Sequence, residues 1–337
     1  RETISRIKAA GFNVYIPCVW HGRGTRYPCS LAPPEEKLLF KGEDPLARLI
    51  RIAHENNIEV HPWFCVALRQ RDFLNDYFDP GTPSMAFDLH KPGFRQFIKN
   101  LIVDLAMRYD IDGIQLDYIR TGGICTSESC CRDYEALYGR SLIEDLKKRN
   151  PDGSLESHVQ EWQDKAVQEI VRTVSKEAKA IKPLLVVSVW GHPQLPNLGL
   201  PANPEGRREI PWANNGLVDL ILCGEYGNRP DFQGIALVSK HVPSNVSVLI
   251  TLGNYDKPYG GSVGTITPRN AKLVADLVAF AQRLSDRGVA LYLYSQLTDE
   301  QILALRRGPF SLDARPYWNS RKPHPPNRLL LPFEHEH

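Results

Sequence analysis

No apolar run in this sequence reaches the roughly 18–20 residues needed to cross a bilayer, so a membrane-spanning helix is not expected. Arg1 to Ile7 also lack the charged-then-apolar layout of a signal peptide. With no initiator Met, the chain opens as if in the middle of a helix, and a processed or trimmed product is expected. An excess of one charge is missing as well. Lys and Arg total 41 against 39 Asp and Glu, a formal +2, so no global field draws the chain to nucleic acid or an anionic membrane. Cysteine is sparse and odd in number, seven in 337 residues, too few for a disulfide scaffold. At least one thiol is free unless it pairs between chains. No Gly-x-Gly-x-x-Gly or Walker sequence follows a strand, and no Ser sits in a strand-to-helix elbow, which argues against dinucleotide, ATP and serine-hydrolase chemistry. No cofactor is expected.

What is present is an ordinary globular composition, 42% hydrophobic, 24% charged and 9% aromatic, able to bury a sizeable core. Short β-rich apolar runs alternate with longer amphipathic stretches, the pattern of repeated βα units around a parallel sheet. The runs are Phe12 to Pro17, Ile58 to Phe64, Gly113 to Tyr118, Leu184 to Trp190, Leu217 to Cys223, Val246 to Leu252 and Val289 to Tyr294. Asp44 to Asn56, Pro92 to Tyr109, Leu155 to Lys182 and Pro268 to Arg287 carry helical spacing. Glu2 to Ala10 reads as a helix with no strand before it. Counting one strand upstream gives eight, a (β/α)₈ TIM barrel lacking its first strand at the N-terminus. Residues 1–312 are expected to form this single barrel and 313–337 a Pro-rich C-terminal arm, with Leu329 to Leu331 a candidate cover for the gap.

In parallel barrels the βα loops converge at the C-terminal ends of the strands, so the chemistry is sought there. The residues at or just beyond those ends are Trp20, His21 and Arg23; His61 and Trp63; Asp117, Tyr118 and Arg120; Trp190 and His192; Glu225 and Tyr226; Asn254, Tyr255 and Asp256; Tyr294 and Gln296. Aromatic faces mixed with carboxylates, Arg and His suit a pyranose ring, which offers apolar CH faces and a rim of hydroxyls. A carbohydrate is the expected partner. Asp117 closes the apolar run Ile114-Gln115-Leu116 and is either a carboxylate at the barrel mouth or an acid tied to Arg120. Glycoside cleavage needs two carboxyls with different tasks, and Glu225 lies two strands away on the same rim. The expected pair is therefore Asp117 as nucleophile or base and Glu225 as proton donor, with Asp256 in reserve. Asp112, at the other end of its strand, reads as structural.

His21, His61 and His192 allow a metal reading, but no HExxH motif occurs and each has an aromatic within two residues, so hydrogen bonding to sugar is preferred. Cys125, Cys130 and Cys131 cluster in the loop after Asp117. Either a disulfide from Cys125 to one of the other two pins that loop, or all three are buried thiols. Gly260 to Gly264 reads as a flexible flap.

Several stretches resemble the glycosyl-hydrolase-like family 10 barrels of bacteria. They are Gly11-Phe12-Asn13-Val14, Tyr27-Pro28-Cys29-Ser30, Asp44-Pro45-Leu46, Ala53-His54, Glu59-Val60-His61-Pro62-Trp63-Phe64 and, most specific, Asp110-Ile111-Asp112-Gly113-Ile114-Gln115-Leu116-Asp117-Tyr118-Ile119-Arg120. Val187-Ser188-Val189 and Val218-Asp219 match more loosely. The resemblance implies a (β/α)₈ barrel that begins with a strand not seen here, hydrolysis of glycosidic bonds in a polysaccharide or glycan, and export from the cell. Asp117 matches the family's fourth-strand Asp, and Cys125 and Cys130 its Cys-bearing loop. Where relatives show Pro-Met-x-Tyr this chain has Cys223-Gly224-Glu225-Tyr226, so Glu225 rests on geometry alone. The alternatives are a non-catalytic glycan-binding barrel and a metal-dependent hydrolase.

Overall fold

Helix α1 (Glu2–Ala10) turns Ile4, Ile7 and Ala10 inward and stops at Gly11. Gly11 adopts φ +91°, and a Cβ there would meet Phe310 at 2.8 Å, so both the turn and the close approach call for glycine. The chain then enters the sheet in two short pieces, β1 (Val14–Tyr15) and β2 (Cys18–Trp20). The next strand is divided the same way, into β3 (Glu59–Val60) and β4 (Trp63–Cys65), after helix α2 (Pro45–Glu55). Each break falls at a proline, Pro17 and Pro62, which offers no N–H to the ladder; their carbonyls still accept from Trp63 and Gln115. The computed structural model describes residues 1–318 except 37, 39, 193–202, 258–264, 285–286 and 317. Gly260 to Gly264 and Leu329 to Leu331 lie outside the described residues.

Beyond β4 the order is α3 (Pro92–Arg108), β5 (Gly113–Asp117), α4 (Glu128–Tyr138), α5 (Leu142–Asp145), α6 (Ser157–Ile181), β6 (Val186–Gly191), α7 (Glu209–Asn214) and β7 (Leu220–Glu225). Then come α8 (Phe232–Lys240), β8 (Ser247–Gly253), the antiparallel pair β9 (Tyr255–Asp256) and β10 (Thr267–Pro268), α9 (Ala271–Leu284), β11 (Val289–Tyr292) and α10 (Asp299–Arg307). The main sheet runs β2-β4-β5-β6-β7-β8-β11, parallel throughout and in chain order. That is the succession of the second to eighth strands of a (β/α)₈ barrel. Among the described residues no ladder joins β11 to β2, so the curled sheet forms a partial barrel.

Successive strand residues face opposite sides. On one side, Ile114, Leu116, Val187, Val189, Ile221, Val248, Ile250 and Leu252 pack under the helices. On the other, Val186, Leu220, Leu222 and Leu249 form a smaller inner core with Ile16, Ala290 and Trp318. Trp318 reaches it from the C-terminal segment, donating from Nε1 to Glu59 at 2.7 Å.

The excursion after β5 has its own core of Tyr134, Leu142, Leu155, Val159 and Trp162, stapled by a Cys125–Cys130 disulfide with Cα atoms 6.1 Å apart; Cys131 is free. Asp88 lies beneath that staple, 2% exposed, accepting from the His90 N–H at 2.9 Å while the two sulfurs stand 3.4–3.7 Å from its other oxygen. A disulfide has no S–H to donate. Burial therefore pushes the Asp88 carboxyl up to about 6. A native value above the unfolded one means that stability is lost as the pH rises from about 4, where the unfolded carboxyl ionises, to about 6, the full loss being on the order of 2–3 kcal/mol. Asp88→Asn should accordingly raise the melting temperature at pH above 7, with the gain shrinking below pH 6 and gone at about pH 4, where the carboxyl is protonated in both states. Thermal unfolding at the two pH values checks this; a destabilisation at both would show that the charge itself is needed.

Candidate active site

Strand β5 delivers Asp117 to the cavity. Gln115 and Asp117 share the inward face, in register with Trp63 and Cys65 of β4. Immediately after Asp117 the backbone turns hard, Tyr118 adopting φ +48°, a left-handed conformation uncommon for an aromatic residue. This turn aims the Tyr118 N–H back at the carboxylate, to Oδ1 at 2.7 Å. Burial is the dominant influence and pushes the Asp117 carboxyl up to about 6, against the Tyr118 N–H, the nearby Trp63 indole and the positive charges of Arg120 and Arg207.

Around it lies a cavity of about 1070 Å³ that runs from the strand ends into the barrel interior. Its upper walls include His21, Trp63, Tyr118, Trp190, Tyr226 and Tyr292, with Arg26 and Arg120. The aromatic groups brace one another. Trp190 Nε1 donates to the Tyr226 hydroxyl at 3.0 Å, and the Tyr226 and Tyr292 rings lie 5.1 Å apart. Arg207 covers the Trp190 ring at 5.0 Å, a cation–π contact, and is paired with the buried Glu209 at 3.6 Å. Arg120 bonds Glu205 at 2.8 Å and lies over Tyr118. Among the described residues lining the cavity Asp117 is the only carboxylate.

The structure gathers His21, Trp63, Asp117, Tyr118, Arg120, Trp190, Tyr226 and Tyr294 around this space. It does not bring Glu225 to Asp117. Leu220 and Leu222 of β7 line the cavity while Ile221 and Cys223 pack outside, and Glu225 shares the parity of the outer set. Its carboxylate accepts from the Asp231 N–H at 3.3 Å. Trp20 is likewise elsewhere, fully buried among Phe73, Phe87 and Phe97. The reason is a bulge: Cys18 pairs with Trp63 but Trp20 with Phe64, so one extra residue reverses the parity. His61 sits low in the barrel between Glu59 and Trp318. Arg23 is bound to Glu35 and Gln70. His192 lies against Trp190 with its N–H on Glu209, and burial pushes its imidazole down to about 4. Asp256 is engaged by Arg269 at 2.8 Å, and Gln296 lies in the turn after β11, outside the cavity lining. The imidazoles of His21, His61 and His192 are thus separately placed. Asp112 accepts from His54 and from the Val60 N–H at the opposite end of β5, a structural role.

Sequence reasoning passed over Arg26, Arg207 and Tyr292. Tyr292 had a signal, standing two residues before Tyr294 in a strand of period two. Arg26 had none, because it reaches the cavity through a turn in which Thr25 folds back on Trp20.

The sequence profile of the family described as glycosyl hydrolase-like 10 matches residues 1–80 and 66–248. The chain belongs to this family. Over 211 residues it is 23% identical to "Glycosyl hydrolase YngK" of Bacillus subtilis (strain 168), a match spanning 54% of this chain and 37% of that protein. The chain thus aligns with little more than a third of that relative's length. Among solved structures it resembles alpha-L-fucosidase isoenzyme 2 from Paenibacillus thiaminolyticus, with TM-score 0.60 at 16% identity over 92% of this chain and 45% of that one. It also resembles the PgaB (BpsB) glycoside hydrolase domain from Bordetella bronchiseptica, with TM-score 0.59 at 13% identity over 89% and 90% of the two chains. At these identities the likeness is one of fold.

In this member of the glycosyl hydrolase-like 10 family, Gly224 makes room for the aromatic wall, since a Cβ there would stand 2.6 Å from Trp190. Gly224→Ala should force the indole away from Tyr226 and lower the melting temperature by several degrees, because a ring braced by Tyr226 and Arg207 has little room to give. Thermal unfolding and the near-UV circular dichroism of the indole check this, and a variant unchanged in both would show that the wall tolerates a side chain at residue 224.

Proposed function

We propose that the chain is a glycoside hydrolase acting on a polysaccharide or glycan, with Asp117 as the group that exchanges the proton. The observation that carries this reading is a carboxyl held at about 6 by burial, inside a cavity walled by Trp63, Trp190, Tyr226 and Tyr292. A carboxyl so placed keeps its proton in mildly acidic medium and can pass it to the leaving oxygen of a glycosidic bond. The indole and phenol rings suit the CH faces of a sugar, and Arg120 and the Tyr226 hydroxyl suit its rim. Membership of the glycosyl hydrolase-like 10 family supports the same class of reaction. The Cys125–Cys130 disulfide supports work in an oxidising compartment, in keeping with an exported protein. The pairing of Asp117 with Glu225 is not part of this proposal, since the two side chains face opposite sides of the sheet.

Incubation with a polysaccharide panel should release reducing ends. Activity should fall as the pH rises through about 6, because the donor form of Asp117 is lost there. A rate that instead rises through that value would make Asp117 the base or nucleophile. Asp117→Asn should lower turnover by about 10²–10⁴-fold while ligand still binds; full activity in that variant would overturn the assignment. A second reading, a glycan-binding barrel without catalysis, is favoured by the presence of a single carboxylate among the described lining residues. Binding of a glycan with no reducing ends released at any pH would establish it.

A further inference from the structure

The wall of the cavity next to β2 carries more positive charge than its acids neutralise. Glu35 is the partner of two guanidiniums, accepting from Arg26 Nε at 2.6 Å and paired also with Arg23. One carboxylate thus serves two cations. Burial opposes the charge of Glu35, yet the two Arg side chains hold its carboxyl below the usual range, so it stays ionised. Arg26 lines the same cavity as Asp117 and His21, and its two terminal nitrogens make no hydrogen bond with any described residue. The remaining cations near Asp117 are committed, Arg120 to Glu205 and Arg207 to Glu209 and the Trp190 ring. The imidazole of His21 is pushed down, first by burial and then by Arg26 and Arg23, as expected beside a surplus of positive charge.

We propose that Arg26 forms an anion subsite and that the glycan bound in this cavity carries carboxylate groups, as a hexuronic acid polymer does. The free edge of a guanidinium presents two parallel N–H groups whose spacing matches the two oxygens of a carboxylate. Arg23 adds the unneutralised charge behind it without competing for the ligand, being bound to Glu35 and Gln70. Asp117, the one acid lining the described cavity, holds its proton in mildly acidic medium and does not repel such a substrate.

The inference rests on the carbohydrate reading above and is tested apart from it. Binding of polygalacturonate, hyaluronan and alginate would be measured calorimetrically on the whole chain, each beside its own carboxyl-reduced, neutral counterpart, at low and high ionic strength. At least one acidic polymer should bind about tenfold or more tightly than its reduced form at low ionic strength. Arg26→Gln should abolish that preference and Arg26→Lys should keep part of it, with melting temperatures showing that both variants fold. Equal affinity for every acidic and reduced pair, no binding of any acidic polymer, or a preference that survives in Arg26→Gln would overturn the subsite. Release of reducing ends from a neutral glycan in any of those cases leaves the hydrolase reading standing, whereas a chain that neither binds nor cleaves any glycan removes both.

Discussion

Everything in this structure that bears on function is governed by the alternation of seven parallel strands whose outer faces are sealed by helices. Helices cover one side, so a strand residue either joins the core beneath them or faces the barrel interior, and a shift of one position exchanges the two fates. Gly224 and Glu225 are neighbours in sequence and sit on opposite sides of β7. The glycine lies under Trp190 and the acid points toward the start of α8. Position at the mouth of a barrel is therefore not enough to make a residue part of its site. The same rule, broken by one bulge, takes Trp20 into the outer core while Cys18 keeps its place in the cavity.

The second controlling influence is the desolvation of Asp117. Its surroundings offer partners that favour the ionised form, the Tyr118 N–H above all, yet burial outweighs them. The strained turn at Tyr118 holds that N–H against the carboxylate. A barrel strand ending in an ordinary extended conformation would direct the next N–H elsewhere, so the backbone geometry and the protonation of the acid are parts of one arrangement.

Much of the scaffold was legible from the sequence. Six of the seven apolar runs hold strands of the main sheet in the expected order, the first holds only β1 with its main-sheet continuation β2 starting just past Pro17, and the four helical stretches became α2, α3, α6 and α9 with ends moved by a few residues. Period and length suffice for that, since both are local properties. Asp117 was legible because a carboxylate is costly to bury, so an acid that closes an apolar strand marks the point where that strand meets the barrel mouth. The pairing of Asp117 with Glu225 was not, because it was judged from distance along the rim and not from the side of the sheet each residue faces. The bulge at Trp20 and the fold-back of Thr25 that brings Arg26 inward depend on hydrogen bonds between segments, which no local pattern announces. The cysteine loop allowed two pairings or none, and the register of α4 selected Cys130 over Cys131 by burying the former within the small core and leaving the latter half-buried at its edge.

The aromatic wall shows how little of the site is free to move. Trp190 is held from below by the absence of a side chain at Gly224, from its edge by Tyr226, and from its face by Arg207, whose charge is balanced by a wholly buried Glu209. Glu209 also receives the His192 N–H, tying the end of β6 to the start of α7. A buried ion pair of this kind adds little net stability, because the desolvation of both groups offsets their attraction. Its value here is positional, since neither Arg207 nor Glu209 can leave without exposing the other as an unpaired buried charge. A platform fixed on three sides loses little conformational freedom when a ligand ring settles on it, so more of the contact energy remains available for binding.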